Sequence, residues 1–189
     1  MKIIPPLLIF ILFPLICSAN NLEVYFSPNG WCMYAVISEI NKAQTTIDVA
    51  MYYFTSREIA QALIKAKERH VEVRIILDKS QEEQSFSKSR YLLQRGFKVR
   101  YHTGEGLMHN KFVVIDGRVL ITGSYNWTAT AEKKNEENLI IIKDDGVIKQ
   151  YAERFEYIWD GGRNANIQNI QGCDAFIDWF CEKFPGLCR

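Results

Sequence analysis

Apolar and polar residues alternate along Leu22 to Phe26. After Pro28-Asn29-Gly30 the apolar positions of Trp31 to Ile40 recur at helical spacing. Thr46 to Phe54 returns to a strand pattern. Thr55, with Glu58 three residues on, reads as a capping box, and Ile59, Leu63 and Ala66 form the buried stripe of a helix running to about His70. Val71 to Leu77 is the next strand. Lys79 to Arg90, rich in Ser, Gln and Glu, reads as a loop before a short helix around Tyr91 to Gln94. Two β-branched-rich runs, Phe112 to Ile115 and Val119 to Ile121, flank Asp116-Gly117 and so predict a hairpin. Thr128 to Asn135 is polar, and Leu139 to Ile142 reads as a buried strand. Val147, Ile148, Tyr151, Phe155, Ile158 and Trp159 mark one stripe of a last helix that Gly161-Gly162 ends. This order predicts an α/β domain with a mixed, largely parallel central sheet, helices on both faces, and the hairpin inserted into it.

The hairpin carries the candidate chemistry. With a two-residue turn at Asp116-Gly117, His109 would face Ser124 and Lys111 would face Thr122. Alternation along the strand puts His109 and Lys111 on one side, their Cα atoms roughly 7 Å apart. An imidazole beside an ammonium, with a hydroxyl opposite and the Asn126 amide just beyond, suits a phosphate group. Imidazole can attack or move a proton, and lysine can hold phosphoryl oxygens by charge-assisted hydrogen bonds. Taken singly, each residue also has an ordinary structural use: Asp116 in the turn, a His or Ser on a strand.

The run His109-x-Lys111-x4-Asp116-x6-Gly123-Ser124-x-Asn126 resembles the HKD signature of the phospholipase D superfamily. Asn135-x-Glu137-Asn138 ahead of Leu139 is similar to that superfamily's downstream element. In length and layout the chain looks like the small bacterial Nuc-type endonucleases, over Asn21 to Trp159.

That resemblance implies a reaction using two histidines, one attacking phosphorus and the other serving as acid and base. His70 and His102 each lack a lysine two residues later, so neither opens a second motif. The second half is therefore expected from another chain, in a homodimer whose two hairpins meet at a two-fold axis and share one active site. His109 would be the nucleophile, Lys111 and Asn126 would hold nonbridging oxygens, Ser124 would back the phosphate, and Glu137 would orient the imidazole. Asp116 belongs to the catalytic signature, yet its place beyond the turn favours a structural hydrogen bond. The scheme needs neither metal nor cofactor.

Composition adds partners and compartment. At 189 residues the chain has the size of one domain. Residues 1–19 carry one charge, an apolar run and a small-residue end, the pattern of a cleaved export signal. The expected address is the periplasm or cell envelope, with secretion, or membrane association through an uncleaved N-terminal segment, as alternatives. Residues 20–162 would form the nuclease domain. Residues 163–189 would form a Cys-rich helical tail packed on it, with disulfides among Cys32, Cys173, Cys181 and Cys188. Without the signal, 22 basic residues meet 22 acidic ones, so local patches outweigh the total. Lys88 to Arg100 contains five basic and no acidic residues, interleaved with Tyr91 and Phe97. Lys88, Arg90 and Tyr91 are accordingly candidate contacts for single-stranded nucleic acid. No GxxxxGK or HExxH occurs, which removes P-loop and zincin chemistries. Three readings remain: a DNA endonuclease preferring single strands and possibly cutting RNA, a phospholipase D acting on lipid head groups, and a nucleic-acid binding or uptake component.

Overall fold

The computed structural model describes residues 21–161. The expected export signal and the tail with Cys173, Cys181 and Cys188 lie outside the described residues. In chain order the elements are β1 (Leu22–Ser27), α1 (Cys32–Lys42), β2 (Thr46–Met51), α2 (Arg57–Glu68), β3 (Glu72–Leu77), a 3-10 turn (Lys79–Gln81), α3 (Ser89–Leu93), β4 (Lys98–Tyr101), β5 (Lys111–Ile115), β6 (Val119–Gly123), α4 (Ala129–Lys133), β7 (Glu137–Ile142) and α5 (Asp145–Trp159). The seven strands form one mixed sheet in the order β1-β7-β6-β5-β2-β3-β4.

Only β2 with β3, and β3 with β4, pair in parallel; the other four pairings are antiparallel. The sheet is thus less parallel than its strand and helix order implied. A parallel pair needs a crossover, and only α2 and α3 supply crossovers between paired strands. The β5–β6 hairpin enters beside β2, and β7 and β1 close the same side antiparallel. The short edge strand β4 escaped the sequence reading because Lys98 and Arg100 are exposed and only Val99 and Tyr101 turn inward. The helical turn α4 escaped it because Ala131 is its one buried side chain.

Alternation along the central strands builds two cores. Ile47, Val49, Met51, Val113 and Ile115 pack with α1 and α2 on one face. Ala50, Phe112, Val114 and Leu120 pack on the other with Ile148, Phe155 and Ile158 of α5. All five residues of β5 are buried, so the strand that presents the candidate residues is fixed on both faces. The cap of α2 is Ser56, one residue later than expected. Its hydroxyl accepts from the Ile59 amide at 3.2 Å, and the N–H groups of both Thr55 and Ser56 donate to the Trp127 carbonyl at 2.9 Å.

The hairpin register also differs from expectation by one residue. Ile115 pairs with Val119 and Phe112 with Thr122, which makes the loop three residues long. The cause is Asp116. Its carboxylate accepts backbone N–H groups from Gln44, Thr45 and Thr46 at 2.7–2.9 Å and the Thr45 hydroxyl at 2.8 Å, while its backbone sits at φ 53°. These bonds hold its carboxyl below the usual carboxylate range against the opposing effect of burial. Asp116 is an anchor tying the hairpin tip to the start of β2. Asp116→Ala is expected to destabilise the fold by about 2 kcal/mol, since several backbone donors lose one charged acceptor, and to leave kcat of the folded fraction near that of the wild type. Denaturant unfolding alongside an activity titration checks both halves.

Candidate active site

His109 and Lys111 stand at the start of β5, opposite the hairpin tip. Around them gather the end of β2 at Tyr52-Tyr53, the end of β6 at Gly123-Ser124, the Asn126-Trp127 segment and the start of β7 at Glu137. Ligand sites in open α/β sheets favour such strand ends, where loops rather than ladders meet solvent.

Asn126 is placed by backbone pairing. Trp127 forms a parallel bridge with Phe54, its N–H donates to the Tyr53 carbonyl at 3.1 Å, and its carbonyl accepts from Thr55 and Ser56. This sets the Asn126 Oδ1 to accept the Tyr53 N–H at 3.2 Å and leaves the Nδ2 group as donor to the site. Gly123 is required where β6 leaves the sheet, since its φ is 147° and a Cβ there would overlap the Asn138 carbonyl oxygen.

Lys111 is 9% exposed. Its ammonium donates to the His109 carbonyl at 2.7 Å and lies 2.9 Å from His109 Nδ1. Burial pushes its pKa below the ordinary lysine value, and the negative charge of Glu137 offsets part of that. His109 is exposed, and its ring lies against Tyr52, centroids 4.4 Å apart at 56°. The same Tyr52 ring lies 5.0 Å from the Lys111 ammonium. An ammonium can only donate, so Nδ1 offers its lone pair here, and a neutral ring then carries its proton on Nε2. Attack through Nε2 requires the other tautomer. Movement of Lys111 from Nδ1 to a phosphoryl oxygen would permit that change.

Glu137 does not contact the imidazole, contrary to expectation. Its carboxylate accepts the Ser124 hydroxyl at 2.5 Å and the Asn135 amide at 2.9 Å. The Ser124 N–H also donates to the Asn138 side chain at 3.2 Å, and its hydroxyl oxygen accepts the Asn138 N–H at 3.1 Å. Once past Gly123 the chain turns toward β7, and this lattice captures both Ser124 and Glu137.

Asp116, named with the catalytic set, lies at the far end of β5. A hollow of about 460 Å³ beside it, lined by Lys42, Arg118 and Lys143 among others, is likewise remote from the chemistry. Of the proposed nucleic-acid contacts, Lys88 reaches the edge of the site, its backbone N–H donating to the Phe54 carbonyl at 2.9 Å. Arg90 instead donates to the Glu82 carbonyl at 3.3 Å. Tyr91 packs on the core, accepts from Gln61 at 3.0 Å, and is covered by the Arg95 guanidinium 3.7 Å above its ring. Phe97 is buried with Lys67 over it. The alternation of cations and aromatics there largely reflects cations capping core rings. Cys32, whose expected disulfide partners lie outside the described residues, is a fully buried thiol, free among the described residues and pushed up to about 11 chiefly by burial and secondarily by the Glu132 charge. Among the described residues, no three or more His, Cys, Asp and Glu side chains converge as a metal site would.

Tyr52 and Tyr53 are the site residues that sequence reasoning missed. The run Thr46 to Phe54 reads as one buried strand, whereas β2 ends at Met51. The available signal was that two tyrosines sit at the carboxyl end of a strand in an α/β pattern.

A family model described as "Cardiolipin synthase, PLD-like domain" matches residues 36–159. The phospholipase D of Rickettsia prowazekii is 38% identical over 138 residues, 73% of this chain and 67% of that protein. The human mitochondrial cardiolipin hydrolase is 36% identical over 118 residues, 62% of this chain and 47% of that protein. Among solved structures, Nuc from Salmonella typhimurium, a phospholipase D family member, superposes with a TM-score of 0.71 at 32% identity, over 75% of this chain and 95% of that one. NucT from Helicobacter pylori does so with a TM-score of 0.71 at 26% identity, over 74% and 96%.

Proposed function

The chain belongs to the phospholipase D superfamily and is a phosphodiester hydrolase, and from that premise we propose that it is an exported, metal-independent endonuclease acting as a homodimer. Its substrate is DNA, single strands preferred, with RNA as a further candidate. The observation that carries this reading is the convergence of His109, Lys111 and Asn126 on an open edge that holds one imidazole where the reaction needs two. His102 follows β4, three strand spacings or about 14 Å from β5, and His70 lies in the turn between α2 and the start of β3, at the other end of the sheet, so neither completes the pair.

In the proposed cycle Lys111 and the Asn126 amide hold the nonbridging oxygens. His109 Nε2 attacks phosphorus, forming a P–N bond as the P–O bond breaks. The departing oxygen takes its electron pair and a proton from the partner subunit's His109. Water then gives a proton to that second imidazole and attacks phosphorus, and the P–N bond breaks to release a phosphate monoester and free His109. Ser124 and Glu137 act by holding the edge of the site in shape.

The nuclease substrate is supported by the Nuc and NucT superpositions, which cover nearly the whole of those chains. The names of the Rickettsia and mitochondrial relatives favour a second reading, a phospholipase cleaving lipid head groups with the same residues. The test is cleavage of single-stranded DNA, duplex DNA and phosphatidylcholine by the purified chain in excess EDTA. DNA cutting unaffected by the chelator is the expected result. Loss of cutting in EDTA would overturn the metal-free scheme, and lipid turnover without DNA cutting would move the substrate to phospholipid.

A further inference from the structure

Five of the eight large exposed apolar side chains among the described residues lie at one end of the sheet. Phe26, Trp31, Tyr34, Phe86 and Leu107 are 63–79% exposed, and each lies where strands or their loops reach the end that carries His109. Trp31 is the most unusual of them. Its backbone is left-handed, φ 69° and ψ 20°, a region bulky side chains rarely enter, and its indole is 68% exposed. The turn before it admits only glycine at position 30, where a Cβ would overlap the Phe26 carbonyl oxygen. Strained backbone that holds a large ring out in water is a feature that folding alone does not favour.

Trp31 and Tyr34 meet edge to face, centroids 5.9 Å apart at 82°. Together with Asn29, Met33, Ile37 and Glu132 they line an open groove of about 510 Å³. β1, which leads into it, lies three strand spacings or about 14 Å from β5, so the groove would receive a base beyond the scissile phosphate, along the Glu137 edge of the site. Ser27, at the end of β1, pairs with Glu137, and its hydroxyl donates to the Asn135 carbonyl at 3.2 Å. Met33 is held from two sides, its N–H donating to Glu132 at 3.0 Å and its sulfur accepting from the Ser56 hydroxyl at 3.8 Å. The carboxylates at the rim are engaged: Glu132 also accepts the Tyr125 hydroxyl at 2.7 Å, and Glu58 accepts the Ser56 hydroxyl at 3.1 Å. The cations Arg57, Lys133 and Lys134 are exposed and make no ion pair within 4 Å among the described residues, although the charges of Arg57 and Lys133 also act on the Glu58 carboxylate.

We propose that the Trp31–Tyr34 groove is a stacking subsite for one unpaired base of a single-stranded nucleic acid whose phosphodiester lies at His109 and Lys111. The inference rests on the nuclease reading above and extends it to a base-binding position outside the reacting atoms. One ring face, with the other ring standing perpendicular beside it as a wall, and the apolar floor of Met33 and Ile37 suit a flat aromatic base, and the Asn29 amide offers a donor and an acceptor to its edge. Arg57, Lys133 and Lys134 suit the flanking phosphates. A base inside a duplex is stacked on both faces and cannot enter the groove, so the subsite selects single strands.

The test compares a small diester, bis(4-nitrophenyl) phosphate, with a single-stranded DNA oligonucleotide, using the full chain and Trp31→Ala. KM for the oligonucleotide is expected to rise about 10-fold with kcat unchanged, as befits loss of one stacked base, while turnover of the small diester stays at the wild-type value. Trp31→Phe restores most of the loss. A single abasic residue walked along the oligonucleotide should reproduce the loss at one position in the wild type and add nothing in Trp31→Ala. Equal kinetics for the variant and the wild type, a loss shared by both substrates, or an abasic walk with no such position overturns the subsite. So does a variant that sediments as a monomer where the wild type is a dimer, or one that loses only binding to phosphatidylcholine vesicles, since the groove would then cover a second copy or a lipid surface. If the wild type turns over the small diester and leaves DNA intact, the nuclease reading falls and takes the subsite with it. That outcome is distinct from failure of the variant alone.

Discussion

Replacing His109 by Ala is expected to abolish hydrolysis, by about 10⁴-fold or more, and to do so in mixed dimers as well as pure ones. The first part follows from chemistry, because the variant has neither nucleophile nor proton carrier and no other imidazole within reach. The second follows from assembly. If one active site needs a His109 from each subunit, a dimer with one altered subunit has half a mechanism. Wild-type and His109→Ala chains co-folded in equal amounts would then leave about one quarter of the activity of the same total of wild-type dimers, since only dimers with two wild-type subunits work. A site complete in each subunit would leave about one half. Activity as a function of mixing ratio should fall as the square of the wild-type fraction, and a straight line would sink the shared site. Because His109 is exposed and its side chain makes one polar contact, to Lys111, the variant should keep its thermal stability, which separates this loss from unfolding.

The parts of this molecule that were legible in the sequence were those governed by periodicity and by fixed local offsets. The stripes of α1, α2 and α5 and the runs of β2, β3, β5, β6 and β7 announce themselves because one face of each is buried. His109, Lys111 and Asn126 could be picked out because their offsets span one hairpin. What was not legible depended on long-range contacts. The register of the hairpin is set by Asp116 reaching residues 44–46, some seventy positions away, which no turn dipeptide encodes. Glu137 was expected at the imidazole because spacing gave no means of seeing that Ser124 and Asn135 would claim it. Tyr91 and Phe97 looked like base-stacking residues, since an aromatic between lysines and arginines reads the same on a surface as over a core. Burial separates them from Trp31 and Tyr34, whose helical spacing had marked them as ordinary members of α1.

Lys111→Met should cost about 10³-fold in kcat, the usual loss when one strong, preorganised donor to a developing oxyanion is removed. Arginine should not rescue it, because a side chain 9% exposed has no space for the guanidinium fork. The pH dependence gives the sharper result. Burial lowers the Lys111 pKa, so the unfolded chain binds more protons than the folded one between the lowered value and the ordinary lysine range. In that alkaline window stability rises with pH, as the buried charge is relieved, while phosphate holding weakens as the ammonium is lost. Stability and activity of the wild type should therefore move in opposite directions there, and Lys111→Met should lose the stability change. Burial sets the window and Glu137 moves it part of the way back up, since its charge favours the ammonium. Glu137→Gln should shift the alkaline limb of kcat/KM to lower pH and leave the acidic limb in place. A shift of the acidic limb instead would mean that Glu137 acts on the imidazole during turnover, and that its bonds to Ser124 and Asn135 break when substrate binds.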